Sequence, residues 1–179
     1  MPRPSLAAVI VLLLATTAVR GQPDDRPPSV SEACSGPDFR AFDFWLGRWI
    51  VRDSTGTRVG SSHISRIARG CGLREEWSGT SGSRGTSLNY YNPADSAWHQ
   101  DWVGSSGLVL HLTGGKTNQI MELDGTRMTE EGRVRDRIRW RPLANDRVRQ
   151  EWTVSSDGGR TWKRVFLGFY ERAPSDEDG

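Results

Sequence analysis

Residues 133–154 read RVRDRIRWRPLANDRVRQEWTV and carry the clearest β pattern of the chain. In the first half, arginine occupies every second position, and the residues between are Val134, Asp136, Ile138 and Trp140. The alternation resumes at residue 147, after the turn-forming dipeptide Asn145-Asp146. Because successive side chains of a strand point to opposite faces, this pattern predicts an antiparallel hairpin with one charged face and one mostly apolar face.

Turn signals recur every eight to twelve residues between Trp45 and Glu171 and divide this region into about ten short strands. The signals are at residues 53–56, 92–95, 105–107, 124–125, 145–146 and 157–159. No helical period is sustained after Leu46, which excludes parallel βαβ folds. Strands in one meander must hide their edges, so we expect an all-β, up-and-down antiparallel barrel rather than a sandwich. Apolar residues spaced three and four apart between 39 and 49 predict a short helical turn that plugs one end.

The two ends of the chain differ from this region in composition. Residues 1–21 hold an apolar run from Leu6 to Ala18 that is too short for an ordinary membrane span, which predicts a signal peptide. Residues 22–37 predict a disordered linker and residues 173–179 an acidic disordered tail. We therefore expect a single β-barrel domain at residues 38–172, secreted or periplasmic, with no membrane anchor after signal removal.

Charge and cysteine content narrow the function classes. Signal removal would leave 22 basic and 22 acidic residues, so nucleic acid is not an expected partner, because such binders normally carry a basic excess. Cys34 and Cys71 would meet oxidising conditions after export, and we expect a disulfide between them, with two unrelated buried thiols as the alternative. Neither cysteine has another ligand at metal-site spacing, so no metal site is predicted.

Gly47-Arg48-Trp49, which follows the short apolar turn, resembles the Gly-x-Trp opening of the calycin barrels, the lipocalin and fatty-acid-binding group. The resemblance implies a tryptophan at the barrel floor that is covered by a basic side chain of the last strand. Arg172 is the best-placed candidate for that side chain, and Arg164 is the second.

Longer stretches resemble an uncharacterised family of bacterial proteins with calycin-like barrels. These stretches are residues 42–49, 85–91, 98–102 and 156–162, and the similarity spans most of residues 39–172. It implies the fold and no particular activity. Residues 155–162 also resemble the Asp-box of sialidases, where the box is a structural hairpin turn. A propeller would need several copies and the chain has one, so we interpret this segment as a turn.

Eight tryptophans are a heavy aromatic load for one small domain, and several share a strand face with a polar residue two positions away. If that face points inward, the interior combines large apolar walls with a few polar groups, as small-ligand cavities do. The candidate ligand-binding residues are Glu75, Trp77, Trp98, Gln100, Trp102, Asp136, Trp140, Gln150 and Trp152. The alternative is that the tryptophans fill the barrel, with their indole N–H groups bonded to Gln100 and Gln150.

The two inward carboxylates, Glu75 and Asp136, need partners because an unpaired buried charge is costly. One interpretation is structural pairing with an inward arginine such as Arg164, or with tryptophan and tyrosine donors. The other is an acid or base of raised pKa in a pocket, as in lyases and isomerases built on small barrels.

The remaining polar groups predict no further site. His63, His99 and His111 are isolated, and strand alternation places the last two on the outer face. An axial haem ligand, as in the nitrobindin-like barrels that resemble this topology, is a minor alternative, and we expect no cofactor. The arginine row at 133–141 predicts a solvated, partly paired outer face beside Glu130, Glu131 and Glu151.

The sequence therefore favours an exported calycin-like barrel that binds a small apolar or aromatic ligand and is not an enzyme. One alternative is a lyase or isomerase that uses Asp136 or Glu75 as general acid–base. Another is an interaction module with a filled core, which would act through its outer arginine face and its loops.

Overall fold

The computed structural model describes residues 34–174, so the predicted signal peptide, most of the predicted linker and most of the predicted acidic tail lie outside the described residues. Ten antiparallel strands form one closed barrel, in which each strand pairs with the next and the last pairs with the first. The strands are β1 (Gly47–Arg52), β2 (Arg58–Ile67), β3 (Gly72–Gly79), β4 (Arg84–Asn92), β5 (Ala97–Gly104), β6 (Val109–Thr117), β7 (Ile120–Thr129), β8 (Gly132–Leu143), β9 (Arg147–Ser155) and β10 (Lys163–Arg172). The predicted up-and-down barrel is confirmed.

The predicted N-terminal helical turn is also confirmed and closes one end of the barrel. It consists of α1 (Pro37–Arg40) and a 3-10 turn, Asp43–Trp45. Phe42 and Trp45 are fully buried and stack with ring centroids 4.9 Å apart, and both pack against Trp140. Within residues 34–174, no helix has the length and apolar character needed to cross a bilayer. We call the end that this turn plugs the closed end, and the opposite end the mouth.

Trp49 lies on the inner face of β1 next to this plug and is almost fully buried. The guanidinium carbon of Arg172 on β10 lies 3.9 Å from the centroid of its ring, and the same side chain donates to the Leu46 carbonyl oxygen. The strands β1 and β10 place the two residues opposite each other, because Trp49 pairs with Arg172 in the register. The stacking that the calycin resemblance implied is therefore present, with Arg172 rather than Arg164.

The hairpin predicted from residues 133–154 forms as β8 and β9. In its register, Ile138 faces Trp152 and Trp140 faces Gln150. Asp136 and Trp140 are buried, whereas the arginines between them are more exposed. The predicted strand parity is therefore correct in this hairpin, and its apolar face lines the barrel interior.

One predicted turn is wrong, because Asp124 and Gly125 lie inside β7. A Cβ added at Gly125 would lie 2.2 Å from the backbone oxygen of His111 on β6. The glycine is therefore needed for close approach of two strands and not for a turn. Asp124 accepts a hydrogen bond from Arg137 at 2.9 Å on the outer face.

The Cys34–Cys71 disulfide is present and confirms the expected pairing. It joins the segment before α1 to the connection between β2 and β3, next to a 3-10 turn at Ala68–Gly70. Arg40 reinforces this junction by donating to the carbonyl oxygens of Gly70 and Cys34. The bond and the arginine thus hold the plug in the closed end.

The Asp-box-like segment forms the turn between β9 and β10. Asp157 accepts hydrogen bonds from the backbone N–H groups of Arg160 and Thr161 and from the hydroxyls of Thr161 and Ser155, which lowers the pKa of its carboxyl. Every carboxylate oxygen is engaged within the turn, so the segment has the structural role expected of it.

The outer arginine row is partly paired, as expected. Arg139 pairs with Glu122, Arg137 with Asp124, and Arg149 with Glu151 at 2.9 Å. The strand neighbours on β7 supply most of these carboxylates, and Glu130 and Glu131 lie in the turn after that strand. Arg137 also stacks on Trp162, 4.3 Å from its ring centroid.

Candidate functional site

The barrel is filled at the closed end and hollow toward the mouth. A cavity of about 520 Å³ opens between the connections β1–β2, β3–β4 and β5–β6. Six of the nine predicted ligand-binding residues line it, namely Glu75, Trp77, Gln100, Trp102, Gln150 and Trp152. The other three lie elsewhere: Trp98 and Trp140 pack on Phe42 at the closed end, and Asp136 is buried in the wall, where it accepts a hydrogen bond from the Trp152 indole.

An aromatic collar surrounds the cavity near the mouth, and it consists of Trp77, Trp102, Trp152 and Phe166. Two of these rings occupy space that only a glycine on the neighbouring strand leaves open. A Cβ at Gly85 would lie 2.1 Å from the Trp102 ring, and a Cβ at Gly60 would lie 2.5 Å from the Trp77 ring. These glycines let the rings lie against the barrel wall, which keeps the centre of the barrel open.

A polar floor lies beneath the collar and consists of Glu75, Gln100, Gln150 and Tyr170. On β3 and β5 these residues stand two positions from a collar tryptophan, toward the closed end, as strand periodicity requires. The Tyr170 hydroxyl donates a hydrogen bond to the Gln150 side-chain oxygen. The floor thus offers several hydrogen-bonding groups at the bottom of an apolar funnel.

Glu75 is the central group of this floor and is only 3% exposed. Its two carboxylate oxygens accept hydrogen bonds of 3.0 Å from the hydroxyls of Ser62 on β2 and Ser87 on β4. Among the described residues, no arginine, lysine or histidine forms an ion pair with it. Burial raises the pKa of Glu75 to about 7, and the two hydroxyl bonds offset only part of that effect.

A chain of side-chain amides supports the Ser87 hydroxyl. Asn89 donates to the Ser87 hydroxyl oxygen at 2.9 Å, and Gln100 donates to the Asn89 side-chain oxygen at 2.8 Å. The network directs the Ser87 O–H toward Glu75, because the Asn89 amide nitrogen can only donate to the hydroxyl oxygen and the carboxylate is the acceptor for its proton. Tyr170 lies near enough that burial and the Glu75 carboxylate together raise its pKa well above the ordinary value.

Asp136 has the structural role that one of the two interpretations gave it. It accepts hydrogen bonds of 2.9 Å from the Arg127 guanidinium on β7 and from the Trp152 indole on β9. The expected arginine partner was wrong, since Arg164 lies on the outer face 3.7 Å from Glu151. The neighbouring strand supplies the counter-charge, which a pattern within one strand does not reveal.

The indole N–H groups do not bond to the floor glutamines, contrary to the filled-core alternative. The Trp98 indole donates to the Asp38 carbonyl oxygen at 3.0 Å, and the Trp77 indole to the Ser83 hydroxyl at 3.4 Å. Gln100 and Gln150 instead bond to Asn89 and Tyr170. The glutamine side chains are therefore held by their neighbours while still bordering the cavity.

All three histidines lie on the outer face of the barrel. His63 lies 3.7 Å from Glu76, His99 pairs with Asp95 at 2.9 Å, and His111 pairs with Asp101 at 2.6 Å. None lines the cavity, so the haem alternative lacks an axial histidine inside the barrel. The outward positions predicted for His99 and His111 are correct.

Several residues of the site were not predicted from the sequence. They are Ser62, Ser87, Asn89, Phe166 and Tyr170. The same parity signal was available, since Ser62 shares a strand face with Ile64, and Ser87 shares one with Asn89. Small polar residues carry a weak inward signal, because serine and asparagine are more often exposed.

Comparison of the chain with protein-family models gives no match, and comparison with curated proteins gives none either. The fold and the site therefore define the class of protein by themselves. The chain is a closed, ten-stranded antiparallel barrel of calycin-like form with a tryptophan-rich interior.

Proposed function

We propose that this protein binds a small apolar or aromatic molecule in the cavity of its barrel. The observation that carries the proposal is a hollow of about 520 Å³ with an aromatic collar above a polar floor. Its volume lies within the range of small-molecule sites, and such sites combine apolar walls with a few orienting polar groups. The collar would supply stacking and apolar burial, and the floor would orient one polar end of the ligand.

The setting of this activity is outside the cytoplasm. The Cys34–Cys71 disulfide supports this proposal, because structural disulfides persist in oxidising compartments. The apolar segment at residues 6–18 is the proposed export signal.

The test uses N-phenyl-1-naphthylamine, a neutral aromatic dye whose fluorescence rises in apolar surroundings. Leu110 lines the cavity, whereas Val109 next to it is exposed on the outer face. We expect the wild-type protein to bind the dye, Leu110→Trp to weaken binding at least tenfold by filling the cavity, and Val109→Trp to leave it unchanged. If the dye fails to bind, or if both variants bind it equally, the proposal is wrong.

A second candidate function keeps the same cavity and adds acid–base chemistry at Glu75. The observation that favours it is a cavity-lining carboxyl whose pKa is raised to about 7, where it can both give and take a proton near neutral pH. Asp136 has no part in it, because its carboxylate is held by Arg127 and Trp152 away from the cavity. Exchange of an acidic C–H of a bound ligand in D2O, followed by NMR, would be lost in Glu75→Gln. Exchange that continues in that variant would exclude this role.

A further inference from the structure

The cavity has an uneven charge distribution. Among its described lining residues, Asp53 and Glu75 carry carboxylates and Arg84 is the one cationic side chain. Arg84 lies at the mouth, where its guanidinium donates to the backbone oxygens of Ser83 at 3.0 Å and Gly79 at 3.4 Å. Two carbonyl oxygens thus hold the guanidinium at the rim, and the charged group at the bottom of the cavity is a carboxylate.

The carboxylate of Glu75, at the bottom of the cavity, has hydrogen-bond partners that do not neutralise its charge. Ser62 and Ser87 bring hydroxyl donors to Glu75, and no positive charge accompanies them. By contrast, the other inward acid, Asp136, is neutralised by Arg127 at 2.9 Å. One barrel therefore contains two buried acids, one with a resident counter-ion and one without, and only the acid without a counter-ion borders the cavity.

A ligand can supply the missing charge. A carboxylate that is desolvated and hydrogen-bonded only to neutral groups is stabilised strongly by a cation brought beside it. Tryptophan rings also attract organic cations through the negative potential of their faces. The three collar tryptophans, Trp77, Trp102 and Trp152, line the same cavity as Glu75, so both attractions would act on the same molecule.

We propose that the cavity selects small organic ammonium ions that carry an aromatic or alkyl body, with the charged nitrogen paired to Glu75 and the body against the tryptophan collar. This selectivity rests on the proposed function, because it names the ligand class for the same cavity. An alcohol of the same shape can use the collar and only a hydrogen bond at the floor. A carboxylate of the same shape meets Glu75 as a like charge.

The first experiment compares three probes of one shape, 2-phenylethylammonium, 2-phenylethanol and phenylacetate, by calorimetry at pH 8. We expect the ammonium to bind about tenfold or more tightly than the alcohol, and phenylacetate to bind weakest. In Glu75→Gln the ammonium and the alcohol should bind within about threefold of each other. The matched control is Glu76→Gln, which removes the neighbouring carboxylate on the outer face and should keep the wild-type preference.

The second experiment uses wild-type protein alone and a probe of fixed charge, benzyltrimethylammonium. Its affinity should rise about tenfold per pH unit up to about pH 7 and then level off, because only the ionised form of Glu75 pairs with it. The other acidic groups in or near the cavity do not produce this pH dependence of binding. Burial and the Glu75 carboxylate raise the pKa of Tyr170 well above the ordinary value, hydrogen bonds from Thr55 and Thr57 lower the pKa of Asp53, and Asp136 does not line the cavity.

The outcomes separate this inference from the proposed function. Equal binding of ammonium and alcohol, a preference that survives in Glu75→Gln, or a flat pH profile for the fixed cation would overturn the ammonium selectivity while leaving ligand binding in place. If the naphthylamine dye binds and 2-phenylethylammonium does not, the selectivity is again wrong. If neither the dye nor any of the three probes binds, the proposed function itself fails.

Discussion

Replacement of Glu75 by glutamine should remove a large pH dependence from the stability of this protein. The pKa of Glu75 is raised from the ordinary 4.5 to about 7 in the folded state. The folded state therefore keeps a proton that the unfolded state loses between those two values, and stability must fall as pH rises through that window. Below pH 4.5 the contribution is fully present, and above pH 7 it is lost.

The size of this effect follows from the two pKa values. One pKa unit corresponds to about 1.4 kcal/mol, so the free energy of unfolding should fall by about 2.5 kcal/mol between pH 5 and pH 8 from this group alone. Glutamine has the same shape, can bond to the hydroxyls of Ser62 and Ser87, and does not titrate. The stability of Glu75→Gln relative to wild type should therefore rise by about 2.5 kcal/mol over the same range.

Urea unfolding, followed by tryptophan emission at pH 5, 6, 7 and 8 with the disulfide intact, measures this difference. With a denaturant slope of about 2 kcal/mol/M, the midpoint of the variant should move by about 1 M relative to wild type. Glu76→Gln is the control, because that carboxylate lies on the exposed outer face of the same strand. A wild-type–variant difference that stays constant from pH 5 to pH 8 would show that the buried carboxyl is not protonated in the folded protein.

Three further perturbations probe the features that shape the barrel. Gly85→Val should push the Trp102 ring off the barrel wall, which should lower the free energy of unfolding by about 1–3 kcal/mol and weaken dye binding. Gly115→Ala is the control, because a Cβ there meets no atom within 4 Å, and it should change neither quantity. Equal effects of the two variants in urea and dye titrations would contradict this account. Asp136→Asn should leave the Arg127 charge unpaired inside the wall and cost about 2–3 kcal/mol in urea unfolding, and a neutral result would mean that the pair does not stabilise the fold. Replacing both Cys34 and Cys71 by serine should lower the free energy of unfolding by up to about 4 kcal/mol, which is the chain-entropy value for a separation of 37 residues. If calorimetry shows an unchanged melting temperature, the disulfide does not stabilise the protein by constraining its unfolded chain.

The fold could be predicted from the sequence because its signals are local. The arginine alternation at 133–141 and the Asn145-Asp146 turn specify a hairpin without reference to the rest of the chain. The prediction failed at Gly125, where the glycine serves the contact between β6 and β7 rather than a turn. A glycine required for a turn and a glycine required for close approach of two strands look the same in the sequence. Only the position of the neighbouring strand distinguishes the two cases.

The inward residues of the site follow from the same local rule, since Glu75, Gln100 and Gln150 share their strand face with a tryptophan two positions away. The strand pattern does not show which of the two inward acids borders the cavity. Asp136 and Glu75 have equivalent patterns in their own strands, but Arg127 lies beside one and only serines lie beside the other.

The sequence by itself thus determines which face of the sheet each side chain lies on, because side chains at odd and even positions of a strand point to opposite faces. The pairing of strands in the closed sheet determines the contacts between side chains. The register between neighbouring strands fixes which groups lie beside each buried charge and how deep in the barrel each ring lies. The uncompensated Glu75 of the cavity is a product of that register, since Ser62 and Ser87 come from the two strands that flank β3, and Tyr170 comes from the last strand, β10.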